Sequence, residues 1–149
     1  MPHFTLTIEP SGLLVNAIIS VSGERQEALH QAQHSVPTPV TVRAMIDTGA
    51  SSSCVDPKIT KQLELTPTGK VSAHTPSTKK DKPHEVDQFD IGIFIPGGSA
   101  NVRPFNMPTL PVLEFDLDHQ GFQVIIGRDI LASCILIYEG QGSFFTLAY

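Results

Sequence analysis

Residues 40–53 read VTVRAMIDTGASSS. Val40–Ile46 is rich in branched and apolar residues and is expected to be a strand. That strand delivers a carboxylate, Asp47, straight into a tight turn. Thr48 adds a hydroxyl. Gly49 removes the side chain where the backbone must approach something closely. Ala50, Ser51 and the serines after them are small and keep the surrounding space open. Two readings fit the tripeptide alone. Asp47 is a strand-ending residue that caps a turn, or it is a working carboxylate, because a charge directly after an apolar run needs a partner or a task.

About 80 residues downstream stands VIIGRDIL, residues 124–131. Here an apolar strand ends in Gly127-Arg128-Asp129 and opens a short helix, with Asp129 expected to cap it. The two segments together resemble the retropepsin-like aspartic proteases, the single-domain relatives of pepsin. The resemblance covers roughly residues 12–21 and 40–149. It implies an all-β fold, a closed retropepsin-like barrel with one or two short helices and a flap hairpin. It also implies an aspartic endopeptidase with Asp47 as the catalytic residue, and Thr48 and Gly49 as active-site turn and dimer contact. Ala50, Ser51, Ala73, His74, Thr75 and Pro76 become substrate-binding candidates, and Gly127, Arg128 and Asp129 a structural motif. No cofactor and no metal are expected.

Aspartic proteases work with two carboxylates that share a proton and hold a water between them. This sequence has a single Asp-Thr-Gly. Asp116 and Asp118, in LEFDLDHQ, lack that turn and read as the wet face of an alternating strand. The second carboxylate is therefore expected from a second copy of the chain, in a two-fold homodimer acting on a peptide or protein substrate. The alternative is a non-catalytic retropepsin fold that binds peptide or mediates assembly. Ala50 offers the carboxylate no side-chain donor, so activity is expected in mild acid, at roughly pH 4–6. The chain departs from the retroviral pattern at Ser51, where retroviral members often carry an acid that pairs with the downstream arginine. Arg128 must find another acid or backbone carbonyls. The hairpin after Asp129 is a second departure, so the dimer sheet is expected to be built differently.

The remaining elements follow from period and punctuation. Phe4–Ile8 alternates as a half-buried strand does, and Leu13–Val21 reads as a more buried one. Residues 22–39 are polar and end in two prolines. They are expected to be a loop insertion with no more than one helical turn. Asp56-Pro57 is a helix start, with Ile59 and Leu63 one turn apart on its buried face. Residues 70–90 are expected to be the flap, with Lys79, Lys80, Asp81 and Lys82 as its charged tip. Ile91–Ile95 is a strand. Residues 99–111 contain three prolines and are expected to be a meandering loop. Val112–Leu117 and Phe122–Ile126 are strands, and Ile135–Tyr138 with Phe144–Leu147 closes the chain as a hairpin.

The 149 residues make one domain's worth, 1–149, and 40% of them are hydrophobic, enough for a core. Ten Lys and Arg against 15 Asp and Glu leave a net charge of −5, the wrong sign for a nucleic-acid binder. The longest apolar stretches, at 13–21 and 130–138, are too short to span a bilayer. The start MPHFTLTIEP lacks the cationic and apolar regions of a signal peptide. Two cysteines, Cys54 and Cys134, cannot make a disulfide framework and sit in apolar runs as structural thiols. A cytoplasmic protein without membrane contact is the expectation. His30 and His34 are four apart, but no further ligand lies near them, so they read as part of a solvated loop.

Overall fold

The computed structural model describes residues 1–75 and 83–149. In chain order, its elements are β1 (His3–Thr7), β2 (Leu13–Val21), α1 (Gly23–Gln31), β3 (Val40–Ile46), β4 (Cys54–Val55) and α2 (Pro57–Gln62). β5 (Gly69–Ala73), β6 (His84–Ile95), β7 (Phe105–Glu114), β8 (Val124–Ile126), α3 (Arg128–Leu131), β9 (Ile135–Glu139) and β10 (Phe144–Ala148) follow. Seven strands run in the order β2-β3-β8-β4-β7-β6-β5, and β2 also pairs with β6. That extra pairing, Ile18–Val21 against Ile91–Phe94, closes six of the strands into a barrel and leaves β5 outside the ring. Closure removes the open edges that a flat sheet would expose. A second sheet, β1-β10-β9, packs against the barrel.

The period of two along each strand decides which side chains fill the barrel. Val15, Ala17, Ile19 and Val21 of β2 and Val42, Ala44 and Ile46 of β3 are all buried. They meet Ile91, Ile93 and Ile95 of β6, Val124 and Ile126 of β8, and Phe145 and Leu147 of β10 in one core. Asp56 caps α2 by accepting the Lys58 N–H, and its other oxygen accepts the Leu117 N–H at 2.9 Å. A buried carboxylate is thereby satisfied on both oxygens. Ile59 and Leu63 are both buried, as their spacing predicts. Among the described residues no helix is long and apolar enough to cross a membrane.

Three sequence expectations need correction. Residues 22–39 are not a loop with a single turn, because Gly23–Gln31 forms a helix. Ser22 caps it by accepting the Arg25 N–H, and Gln31 bonds Glu27 one turn back. No residue of α1 is buried, so it has no apolar stripe to betray it in the sequence. It lies instead along β7, where Thr109 donates to Glu24. Residues 99–111 are not wholly a meander, because β7 begins at Phe105 and runs through two prolines. Pro108 falls where the β6–β7 register slips between Ile91 and Ile93, a bulge that needs no ladder donor there. On its other side β7 pairs with β4 only at Leu113 and Glu114, so Pro111 breaks no second ladder. The first strand is also less buried than its alternation suggests, since only Phe4 of β1 is buried.

β5 and β6 form an antiparallel hairpin, with Val71 opposite Val86 and Ala73 opposite His84. Pro76 and the lysine-bearing tip at 79–82 lie outside the described residues.

Candidate active site

Asp47 stands where three segments meet. β3 and β8 run parallel, with Ile46 beside Ile126, and the Asp47 N–H extends that ladder by donating to the Ile126 carbonyl at 3.0 Å. The chain then loops over the end of β8 and returns as β4, antiparallel to β8 on its other side. β8 is thus embraced by the two arms of residues 40–55. The loop between the arms, 47–53, carries the Asp-Thr-Gly.

Within the loop the Asp47 Oδ1 accepts the Gly49 N–H at 2.8 Å, which orients the carboxylate. A Cβ on residue 49 would lie 3.1 Å from that same Oδ1, so glycine is the residue that lets the carboxylate fold back over its own turn. The Ala50 N–H donates to the Asp47 carbonyl, and the Ala50 carbonyl accepts the Arg128 N–H at 2.9 Å. Asp47 and Ala50 are half-buried, whereas Thr48, Gly49 and Ser51 are exposed.

Arg128 resolves the departure at Ser51 in favour of a backbone partner. Its guanidinium reaches the Thr48 carbonyl at 3.5 Å. Asp129 does not cap α3 as expected, because Gly127 occupies the cap position. The Asp129 carboxylate instead grips Ser53, accepting its N–H at 2.8 Å and its hydroxyl at 2.7 Å. Ser53 is fully buried, and its Oγ in turn accepts the Gly127 N–H. Sequence reasoning misses this serine because it is the last of three alike. No signal in the sequence singles it out, and only the structure separates exposed Ser51 and half-buried Ser52 from buried Ser53.

The fold gathers Asp47, Thr48, Gly49 and Ala50 with Gly127, Arg128 and Asp129. Ala73 and the neighbouring His74 and Thr75 belong to the β5–β6 hairpin. Asp116 and Asp118 lie beyond the end of β7, and Asp118 pairs with Lys58. Among the described residues no three His, Cys, Asp or Glu side chains form a metal-binding group.

Cys54 follows the loop directly and is buried, with its thiol pushed up to about 11. Burial is the main cause, and the charges of Asp129 and Asp47 add to it. The thiol is raised from 9.0 in the unfolded chain, so its contribution is complete below pH 9 and is lost as pH rises to about 11. Thermal melts across that range should show stability falling, and Cys54→Ala should flatten that part of the curve. An unchanged slope in the variant would assign the loss to other groups.

Residues 38–130 match the aspartyl protease family. Among solved structures, a retropepsin-like aspartic protease from Rickettsia conorii aligns over 99% of this chain and 90% of its own, at 13% identity and a TM-score of 0.57. The retroviral protease-like domain of Ddi1 from Leishmania major aligns over 91% of this chain and 84% of its own, at 14% identity and a TM-score of 0.40. The inhibitor-bound EIAV protease aligns over 62% of this chain and 75% of its own, at 21% identity and a TM-score of 0.34. No curated protein matches by sequence. The barrel shared with the rickettsial enzyme and the family match across both the Asp47 loop and the Gly127-Arg128-Asp129 segment lead to one assignment: this chain belongs to the aspartyl protease family, with a retropepsin-like fold.

Proposed function

We propose that the chain is an aspartic endopeptidase that works as a homodimer, each copy supplying Asp47. The observation that carries this reading is the Asp47 turn itself. It presents one oriented carboxylate, flanked by the exposed Thr48 and Gly49, where the reaction takes two. A two-fold axis beside this turn puts the partner's copy opposite. One carboxylate, ionised, takes a proton from the water between them. The other, protonated, donates to the scissile carbonyl as the water attacks. The Gly49 N–H holds Oδ1 in place, which leaves Oδ2 to face the water. Thr48 ties the two turns together across the axis. The β5–β6 hairpin, with Ala73, His74 and Thr75 at the end of β5 and after it, closes over the peptide, and Ala50 and Ser51 line the floor. The free thiols Cys54 and Cys134 suit a reducing, cytoplasmic setting.

A dilution series tests the dimer. Cleavage of a peptide library at mildly acid pH is followed at falling protein concentration, with sedimentation run in parallel. Specific activity is expected to drop as the dimer dissociates. A strict monomer with undiminished activity would overturn the shared site.

A further inference from the structure

The loop 47–53 is held at its start, its middle and its end, with the Arg128 guanidinium also on the Thr48 carbonyl. Its start is held by the Asp47 N–H on the Ile126 carbonyl and its middle by the Arg128 N–H on the Ala50 carbonyl. Both are backbone bonds, which almost any side chains would permit. The end is held by the Leu113 N–H on the Ser53 carbonyl at 3.1 Å and, in addition, by side chains, at Ser53 and Asp129.

The side-chain donors and acceptors at that end leave little freedom. Oδ2 of Asp129 accepts the Ser53 N–H, and Oδ1 accepts both the Ser53 hydroxyl and the Ile130 N–H. The one proton of the Ser53 hydroxyl is committed to Asp129, and its oxygen receives the Gly127 N–H at 3.0 Å. Three donors therefore converge on two oxygens. Only an ionised carboxylate is acceptor on both sides. An amide at 129 has one acceptor oxygen, so in either orientation its NH2 would point at a backbone N–H, that of Ser53 or that of Ile130. The charge of Asp129 also lies close to the loop, since it acts with that of Asp47 on the Cys54 thiol.

We infer that Asp129 is a positioning residue for Asp47: through Ser53 its carboxylate fixes the far end of the Asp47 loop and so the aim of the Asp47 carboxylate. This rests on the protease reading for its consequence in catalysis, but not for its consequence in the loop. It assigns Asp129 a task beyond ending a strand or starting a helix, and it makes Ser53 part of the machinery.

The test uses the whole chain with Asp129→Asn, Ser53→Ala, Ser53→Thr and the double variant Ser53→Ala/Asp129→Asn. Amide exchange at Gly49, whose N–H marks the carboxylate's orientation, is read by NMR beside the melting temperature. Both weakened variants are expected to stay folded and to exchange Gly49 at least about tenfold faster, by local opening. Their kcat should fall about 10- to 100-fold, as a small misplacement of a reacting group does, with KM nearly unchanged. Ser53→Thr, which keeps the hydroxyl, should restore both readouts. The double variant should be no worse than the worse single one, because the two residues act as one unit. Should Asp129→Asn fail to fold, Ser53→Ala carries the same readouts. Gly49 exchange that matches the wild type in folded variants overturns the inference, and so do additive losses. A wild type that cleaves no peptide overturns the protease reading instead, and the exchange data alone then decide the role of Asp129.

Discussion

Asp47→Asn is expected to abolish peptide cleavage while leaving the melting temperature nearly unchanged. The side chain keeps its shape and its Oδ1, so the Gly49 N–H retains its acceptor. What disappears is the base, and positioned acid–base groups are worth about 10²–10⁴-fold or more in rate. Mixing sharpens the result. When variant and wild type exchange subunits freely in equal amounts, about one quarter of the dimers are wild type on both sides, as random pairing in a two-fold dimer requires. If the site takes one Asp47 from each copy, activity falls to that level. If each copy carries a whole site, activity falls only to about half, and the shared-site mechanism is wrong. Full activity in the pure variant would retire Asp47 altogether.

Gly127→Ala should damage the protein more than its size suggests. The backbone at Gly127, with φ of −93° and ψ of −173°, is extended and open to any residue. Considered alone, alanine would gain about 0.4–1 kcal/mol from a stiffer unfolded chain. The packing decides otherwise. An added Cβ would stand 2.7 Å from the Ser52 carbonyl carbon, 2.8 Å from its oxygen and 3.0 Å from the Ser53 nitrogen. These are backbone atoms of the crossing loop and cannot rotate away. Overpacking of this kind costs about 1–3 kcal/mol, at times more, and a chain this long loses about 2–4 °C per kcal/mol. A net fall of roughly 5 °C is expected, with activity falling further because the loop that moves is the one carrying Asp47. Gly69→Ala is the control, since nothing lies within 4 Å of its added Cβ. Equal melting temperatures for the two variants would show that the loop yields freely.

Asp47 and Gly127 differ in how much of their role the chain discloses locally. Val40–Ile46 and Leu13–Val21 are legible in the sequence because branched apolar residues crowd them, and the closing hairpin because a Gly-bearing turn parts two apolar runs, although only β10 buries a face and Ile135, Ile137 and Tyr138 of β9 are exposed. The Asp47 turn is legible because strand, carboxylate and glycine stand in succession. The partners of that turn are only half legible. Gly127-Arg128-Asp129 can be found as a segment, but the hydrogen bonds of Asp129 run to a residue 76 positions away, and nothing local says that it grips Ser53 rather than capping α3. β7 is obscured by Pro108 and Pro111, whose missing donors matter only where a ladder needs them. α1 is obscured for the opposite reason. It buries nothing, so its capping by Ser22 is the one signal available, and a polar run ending in prolines masks it.

The parallel pairing of β3 with β8 has a consequence in time. Ala44 and Val124 are neighbours in the sheet, yet they stand about 80 residues apart in the chain. Contacts so distant form slowly, and domains dominated by them fold in about milliseconds to seconds. Synthesis is slower still. At ~5–20 residues per second, the stretch from one strand to the other takes ~4–16 s to emerge from the ribosome. Throughout that interval Asp47 exists without the strand that its own loop must cross. A nascent chain thus carries the Asp47 carboxylate long before it carries the strand that holds its loop, and on the proposed protease reading competence to cleave a peptide arrives only when the last third of the domain has been made.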